Sequence, residues 1–434
     1  MSGPAPFGEI LRLATPTVFV TFVQAIAQTT EAALIGRLGT EALAGYALVL
    51  PLLMLMQMTS GGAMGGGVTS AVARAIGAGR MEEAAALVAH ALVIAAGMGV
   101  LTSALVLGCG PALFRAVGGT GAAFDHAVSY AAIVFGGAVL VWVANILGAV
   151  LRGAGKMRLP AYVMTLCWVV EAPLSGLFML GFGWGLPGAA AAYLAAFALA
   201  VGSMGFIILR GGAGFRPRIL APLRAALFRR ILSVGLIATV MATIANLTVV
   251  LMTALVARHG TAAIAAYGVG VRLEFLMIPI GFGIGVALTS LVGRQVGAGD
   301  WASARATAWR GGLLSAGLCG VIGLAAALMP EPLARLFASD PEVREALVVY
   351  LRWVGPSFGP FGLGMALYFA CQGAGRMRWP FAGSVARLGV AVGGGWLLSA
   401  FTGAGLAGSF VAIAAGLAAY GVIIAASVRR SVWR

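Results

Sequence analysis

The sequence predicts an all-α polytopic membrane protein of twelve transmembrane helices, arranged as two six-helix lobes related by pseudo-two-fold symmetry around a central cleft. Three observations predict it. Of the 434 residues, 61% are hydrophobic and only 9% charged, against about 25% charged in an ordinary soluble domain. The apolar runs are about 20 residues long, enough to span a bilayer as helix, and they are continuous, whereas barrel strands would alternate. The second half of the chain repeats the first at a displacement of 220 positions.

Taken in order, the spans are roughly Ala14 to Gly36, Tyr46 to Val68, Ala84 to Leu107, Val128 to Val150, Leu159 to Phe182 and Gly188 to Leu209. The second set is Ile231 to Ala257, Ala263 to Leu291, Thr307 to Leu328, Ala346 to Cys371, Trp379 to Phe401 and Gly405 to Ser427. The longest basic connector, with Gly211, Gly212, Gly214, Pro217 and Pro222, separates them. The expected domains are therefore an N-lobe over 1–210, a cytoplasmic basic linker over 211–230 and a C-lobe over 231–434.

The repeat is read from its turns. Gly153-Ala154-Gly155-Lys156-Met157-Arg158-Leu159-Pro160 returns as Gly373-Ala374-Gly375-Arg376-Met377-Arg378-Trp379-Pro380, and Gly77-Ala78-Gly79 returns as Gly297-Ala298-Gly299. Gly185 and Gly188 match Gly405 and Gly408, Thr69-Ser70 matches Thr289-Ser290, and Tyr46 matches Tyr267 one residue out of register. An even number of spans per half means that both halves enter the membrane the same way, as parallel repeats about an axis along the normal. The Gly-Ala-Gly turns close helices, because glycine accepts the left-handed cap conformation, and the basic residues that follow hold those ends in the cytoplasm. No strand precedes them and the Walker pattern is absent, so a phosphate loop is a poor reading. Gly61, Gly62, Gly65, Gly66 and Gly67, like Gly281, Gly283 and Gly285, suit close helix packing.

The net charge of +15 is spread along one membrane face. Twenty of the 28 Lys and Arg fall in alternate connectors and the termini, and the intervening connectors hold five: Arg37, Arg115, Arg258, Arg335 and Arg344. By the positive-inside rule the rich side is cytoplasmic, with both termini inside a bacterial-type inner membrane. A nucleic-acid partner is excluded by the same distribution. Cys109, Cys167, Cys319 and Cys371 stand singly, which argues against a disulfide or metal framework, and no cofactor is expected. Three scattered His offer no catalytic constellation, so the chain does not read as an enzyme. Met1 to Phe7 lacks the basic flank of a cleaved signal, and the first apolar segment is taken as a retained span.

That first span carries the functional expectation. Thr17, Thr21, Gln24, Gln28 and Glu31 recur at spacings of four, three, four and three, which stacks them on one helix face. The stripe must face protein or a wet cavity, and a carboxylate at that depth tends to mark an ion or substrate path. Glu31 is therefore read as a coupling-ion or proton site, against the alternative of a structural carboxylate at a helix end, hydrogen-bonded or paired with Arg37. Glu171 is a second candidate, in a span kinked by Pro173, where a helix break also calls for polar partners. Gln24, Gln28, Asn145 and Ser175 are read as polar lining of the cavity, able to supply neutral oxygens if the ion were Na+. Asn246, Arg272, Glu274 and Arg387 are read as a polar network of the C-lobe, and His90 as a hydrogen-bonded packing residue in preference to a proton shuttle.

Along nearly its whole length the sequence resembles the multidrug and toxic compound extrusion (MATE) transporters. The matching stretches are Glu31 to Gly39 followed by Glu41-Ala42-Leu43-Ala44, Val72-Ala73-Arg74 leading to Gly77-Ala78-Gly79, Leu151 to Gly155, Gly183 to Ala190, and Ala265-Ala266-Tyr267 through Arg272-Leu273-Glu274. The resemblance implies a V-shaped, alternating-access exporter of cationic and amphipathic drugs, driven by inward H+ or Na+ flux. It places Glu31 where the family has an ion-binding Asp in span one. It also places Glu171 where many members have Asn, and Ser175 where they have the Asp of an Asp-Pro pair, so the acidic group has moved one helical turn. Members with a C-lobe site carry an acid in span seven, and here that span offers Thr239, Thr243, Asn246 and Thr253 instead. Coupling is accordingly expected in the N-lobe, by H+ in preference to Na+, with a lipid-linked or anionic metabolite as the alternative cargo. The expected partners are the bilayer, the small-molecule substrate and the coupling ion; no oligomeric partner is implied.

Overall fold

In the computed structural model, residues 3–401, 403–429 and 433 are described, and they form helices joined by short turns. The first group is α1 (Phe7–Gly36), α2 (Thr40–Gln57), α3 (Gly65–Gly77), α4 (Met81–Ala116), α5 (Gly121–Gly136), α6 (Ala138–Gly153), α7 (Arg158–Gly176) and α8 (Leu186–Leu209). After α9 (Ala225–Val256) come α10 (Thr261–Gly297), α11 (Trp301–Leu328), α12 (Pro330–Phe337), α13 (Pro341–Val354), α14 (Phe358–Ala374), α15 (Arg378–Leu388), α16 (Gly394–Phe401) and α17 (Gly405–Ser427).

Among the described residues, ten helices are long and apolar enough to cross a membrane, and the pair α5 and α6, bent by 48°, makes an eleventh span. The twelfth expected span, Ala346 to Cys371, is divided between α13 and α14 by a 3-10 turn at Gly355–Ser357. Both broken spans were expected as single helices, and both break at one point of the repeat, since Gly137 and Ser357 are 220 residues apart. Two glycines lie at the first break. At the second, Pro356 withholds an N–H from the helical ladder. Wide π turns relax three further spans, at Met58–Met64, at Leu177–Gly181 just after Pro173, and at Gly389–Gly393.

Contacts divide the chain into two compact units, Pro16–Gly235 and Met1–Thr15 with Leu236–Arg434, and the boundaries fall inside α1 and α9. The core of the first unit gathers Tyr130, Phe135, Trp142, Trp168 and Phe197. In the second unit one cluster is built on Tyr350, Phe358 and Phe410, and another packs Ile10 and Ala14 of α1 against Ile284, Leu288 and Leu291 of α10.

The repeat extends to individual contacts. Thr69 donates its hydroxyl to the Ala149 carbonyl at 3.0 Å in the first unit, and Thr289 donates to the Phe369 carbonyl at 3.0 Å in the second, each acceptor 80 residues further on. Gly155 and Gly375 both have positive φ, 76° and 72°. In each case the next residue's N–H reaches back five residues to close the helix, Lys156 to Leu151 and Arg376 to Cys371, both at 2.9 Å. Close approach accounts for a third glycine, Gly67, where a Cβ would lie 2.7 Å from the Ile231 carbonyl oxygen and 2.9 Å from the Gly235 nitrogen. Both obstacles are backbone of α9, which has no side chain to swing aside. Gly67→Ala is expected to lower the stability of the folded protein by ~1–3 kcal/mol, the usual cost of overpacking, read as a fall in thermal unfolding midpoint in detergent.

The basic connector between α8 and α9 belongs to the first unit. Arg218 donates its backbone N–H to the Ala85 carbonyl at 3.1 Å and pairs with Glu82, while Arg230 pairs with Glu83. His90, buried in α4, accepts the Arg224 backbone N–H on Nε2 at 2.8 Å, and its Nδ1 lies 2.9 Å from the Ala86 carbonyl. Donation from Nδ1 to that carbonyl leaves Nε2 as the acceptor, so both ring nitrogens are committed to packing roles. His90→Ala is expected to loosen the connector. A lost hydrogen bond of ~0.5–1.5 kcal/mol corresponds to roughly 2–10-fold faster tryptic cleavage at Arg218 and Arg224 in the folded protein.

Candidate functional site

The polar stripe of α1 is buried at both ends, at Thr17 with 7% exposure and at Glu31, and half-buried between them. Gln24 and Gln28 are half-buried, whereas Glu31 is only 3% exposed, in line with buried Ala27 and Ile35. The opposite side of the helix, with Phe19, Phe22 and Ile26, is exposed, as a lipid-facing surface should be. Opposite Glu31, α7 brings Glu171, 1% exposed, and one turn further along the same helix Ser175, fully buried. The two carboxyls lie within electrostatic reach of each other, and the Tyr130 hydroxyl lies within reach of both.

What surrounds the acids is aromatic and neutral. Tyr46 of α2 donates its hydroxyl to Glu31 Oε2 at 3.2 Å. Its ring stands edge-on to Tyr130 of α5, with centroids 5.5 Å apart. Tyr193 of α8 lies within electrostatic reach of both carboxyls and packs against Trp168 and Phe197. Glu31 Oε1, both Glu171 oxygens and Ser175 Oγ are buried without a hydrogen-bond donor from elsewhere in the protein. Buried polar groups are normally satisfied, and the chemistry that suits these oxygens is two carboxyls sharing a proton or several oxygens around a cation.

A second polar chain adjoins it. Gln57 donates to the Tyr193 hydroxyl at 2.7 Å, and Asn145 of α6 donates to Gln57 Oε1 at 3.0 Å and to Ser60 Oγ at 2.9 Å. Ser60 lies within the π turn that follows α2, and such turns commonly mark functional positions. Asn145 is thus tied to Gln57 and Ser60, and through Gln57 to Tyr193, which lies within electrostatic reach of the acids.

The second unit has its own buried carboxyl. Glu274 of α10 accepts the Tyr350 hydroxyl on Oε1 at 2.5 Å, and Arg387 of α15 places Nη2 3.8 Å from Oε2. The Arg387 guanidinium also lies over the Phe361 ring, 5.2 Å from its centroid. Two residues expected in this network are not brought to it. Arg272 sits two positions from Glu274, about 200° round the helix, and is exposed; Asn246 is exposed on α9 and donates to its own helix at the Ala242 carbonyl, 2.9 Å away.

Tyr46, Tyr130, Tyr193, Gln57 and Ser60 were not singled out as site residues from the sequence. A signal was present: the chain has eight tyrosines, and two of the three that frame these carboxyls reappear one repeat later, Tyr46 as Tyr267 and Tyr130 as Tyr350.

A multi-pass helical protein made of two repeats, with carboxyls buried in each unit, has the build of a membrane transporter. The MatE family model matches the chain twice, over residues 16–177 and 237–397, one copy in each unit. The chain belongs to this family of multidrug and toxin efflux transporters. Among curated relatives it is 26% identical over 358 residues to the probable multidrug resistance protein NorM of Thermotoga maritima, covering 80% of this chain and 75% of that one. It is also 26% identical over 380 residues to an FAD transporter of Shewanella oneidensis, covering 83% and 80%. Among solved structures, a MOP superfamily transporter from Pyrococcus furiosus superposes with a TM-score of 0.90 at 22% identity, over 98% of this chain and 96% of that one. The bent form of the Vibrio cholerae MATE transporter VcmN gives 0.90 at 23%, over 98% and 97%. At such identities these structures speak for the fold, in which twelve helices were expected.

Proposed function

We propose that the protein is a secondary active antiporter of the cytoplasmic membrane, with both termini inside, that exports organic cations or amphipathic drugs in exchange for protons by alternating access. The observation that carries this reading is the pair Glu31 and Glu171, buried together in the first unit with tyrosine hydroxyls around them and no basic side chain among the groups that act on them. An ionised carboxylate that is buried without a partner costs several kcal/mol. One proton shared between the two carboxyls removes most of that cost and lets α1 and α7 pack closely. A bound organic cation satisfies the same carboxylates, so proton and drug exclude one another and are exchanged in alternation. Gln24, Gln28, Asn145 and Ser175 are the neutral lining, and Na+ in place of H+ is the alternative ion.

The test is uptake of a fluorescent cationic dye into inside-out vesicles under an imposed pH gradient or an imposed Na+ gradient. Uptake driven by the pH gradient alone is expected. Uptake driven only by Na+ would overturn the ion assignment. A second reading, export of an anionic metabolite, is favoured by the similarity to the Shewanella FAD transporter. Flavin nucleotide accumulation in vesicles that ignore the dye would select it.

A further inference from the structure

The connector between α8 and α9 carries a turn whose composition is the reverse of what turns normally hold. The Ala221 N–H closes back on the Arg218 carbonyl at 3.1 Å, so Ile219 and Leu220 occupy the two central positions, where glycine, proline, asparagine or aspartate is usual. Leu220 is 99% exposed, Ile219 49% and, beyond Pro222, Leu223 58%. The segment is not free to fold these side chains away. It is fixed to α4 on both sides of the turn, by the Arg218 N–H on the Ala85 carbonyl and by the Arg224 N–H on His90 Nε2. The aliphatic tip is held outward.

Around the tip the charge is basic. Arg216, Arg218 and Arg224 are exposed beside it, with Arg80 at the start of α4 and Arg229 and Arg230 in the first turns of α9. Against these six arginines stand two acids, Glu82 and Glu83, which leaves a net charge of +4 over residues 80–83 and 216–230. Glu83 takes Arg80 and Arg230, and Glu82 meets Arg218 at 3.5 Å with both side chains largely exposed, a contact that holds neither group firmly. Among the described residues, Arg216, Arg224 and Arg229 have no carboxylate within salt-bridge distance. Between the connector and α4 lies an open groove of about 980 Å³, where Arg80, Arg218, Arg224 and both glutamates stand beside Ile219 and Leu220.

The position of this surface decides what it meets. α4 has 36 residues, about 54 Å of helix, against a hydrocarbon core of ~30 Å. Its first turns, to which the connector is fixed, therefore stand at the depth of lipid headgroups. Aliphatic side chains ringed by arginines are the composition of segments that lie in a membrane surface, with the apolar groups at the acyl boundary and the cations among the phosphates. We propose that the connector turn is a docking element for anionic phospholipid of the surrounding leaflet. Ile219, Leu220 and Leu223 enter the acyl boundary, and Arg216, Arg218 and Arg224 take the phosphodiester groups. The inference stands whichever ion or cargo the protein carries.

The test uses the full-length protein with Cys109→Ser, which removes the one exposed cysteine and leaves three buried ones. Leu220→Cys then places a bimane fluorophore on the tip. The protein is held at one copy per nanodisc in mixed phosphatidylglycerol and phosphatidylcholine, with bromine on the acyl chains of one lipid or of the other. Both leaflets then have one composition, and no second copy is present to cover the turn. Bromine on either lipid is expected to quench the label, and the two quenching curves are expected to give a preference for phosphatidylglycerol of roughly fivefold, the effect of about one basic group at an anionic surface. Adding Arg216→Gln and Arg218→Gln is expected to abolish that preference while quenching persists, since the backbone anchors to α4 are untouched. The same label placed by Glu342→Cys, on the exposed first turn of α13, is expected to be quenched weakly by both lipids. Quenching at position 220 no stronger than at 342 would overturn the proposal, because the tip would then stand in water. Equal affinity for the two lipids, or a preference that survives both glutamine substitutions, would overturn it as well.

Discussion

Glu31→Gln is expected to abolish dye uptake driven by a pH gradient while leaving the folded protein no less stable than wild type. The substitution keeps the shape of the side chain and its acceptor for the Tyr46 hydroxyl, and removes one of two buried carboxyls that act on each other. Losing a facing carboxyl does not weaken packing, and the amide takes up no proton from the gradient. Coupling free energies between two ligands are typically ~1–3 kcal/mol, a factor of roughly 5–150, so gradient-driven uptake is expected to fall at least tenfold. Dye binding measured at equilibrium is expected to become insensitive to pH as well. Glu171→Gln is expected to behave in the same way. A Glu31→Gln protein that still concentrates dye under the pH gradient would remove the acid pair from the mechanism, and one that is inactive because it no longer folds would give Glu31 a structural role, through its hydrogen bond with Tyr46.

The fold was legible in the sequence because it depends on properties that sum over many residues. Twenty-residue apolar runs and a repeat at 220 positions survive any local irregularity, so the helical class, the number of spans and the two-fold duplication were readable. What escaped was local. Gly137 breaks a span that hydropathy alone draws as continuous, since an average over 20 residues does not register a local turn, whereas Pro356 is legible in the sequence as a candidate kink. The stripe on α1 led to Glu31 because helical periodicity is intrinsic to one segment. Glu171 was reached through its acidity in an apolar span. The tyrosines around them come from α2, α5 and α8, and only tertiary packing brings three separate helices to one carboxyl. Arg272 shows the converse: its charge in an apolar span suggested a shared polar network with Glu274, and its exposed position about 200° round the helix keeps it out.

Glu274→Gln is expected to act in the opposite sense to Glu31→Gln, costing stability before it costs transport. Glu274 is paired, so neutralising it leaves the Arg387 guanidinium largely buried beside an amide. Breaking a buried ion pair from one side typically costs ~3–5 kcal/mol, most of it the desolvation of the charge left behind, and the 15% exposure of Arg387 puts the expected loss near ~3 kcal/mol. The amide oxygen still accepts the Tyr350 hydroxyl, so the loss belongs to the charge and not to the hydrogen bond. Adding Arg387→Met should therefore recover most of the stability, because both charges then leave the interior together. Proton-driven dye uptake per folded molecule is expected to persist in Glu274→Gln, since the acid pair of the first unit is untouched. A double dissociation of this kind, stability kept and coupling lost at Glu31, stability lost and coupling kept at Glu274, would assign different work to the two buried carboxyls although each rests against a tyrosine pair of the same repeat. If Glu274→Gln instead lost pH-gradient drive at full stability, coupling would extend to the second unit, and the uncompensated pair in the first would no longer suffice to explain it.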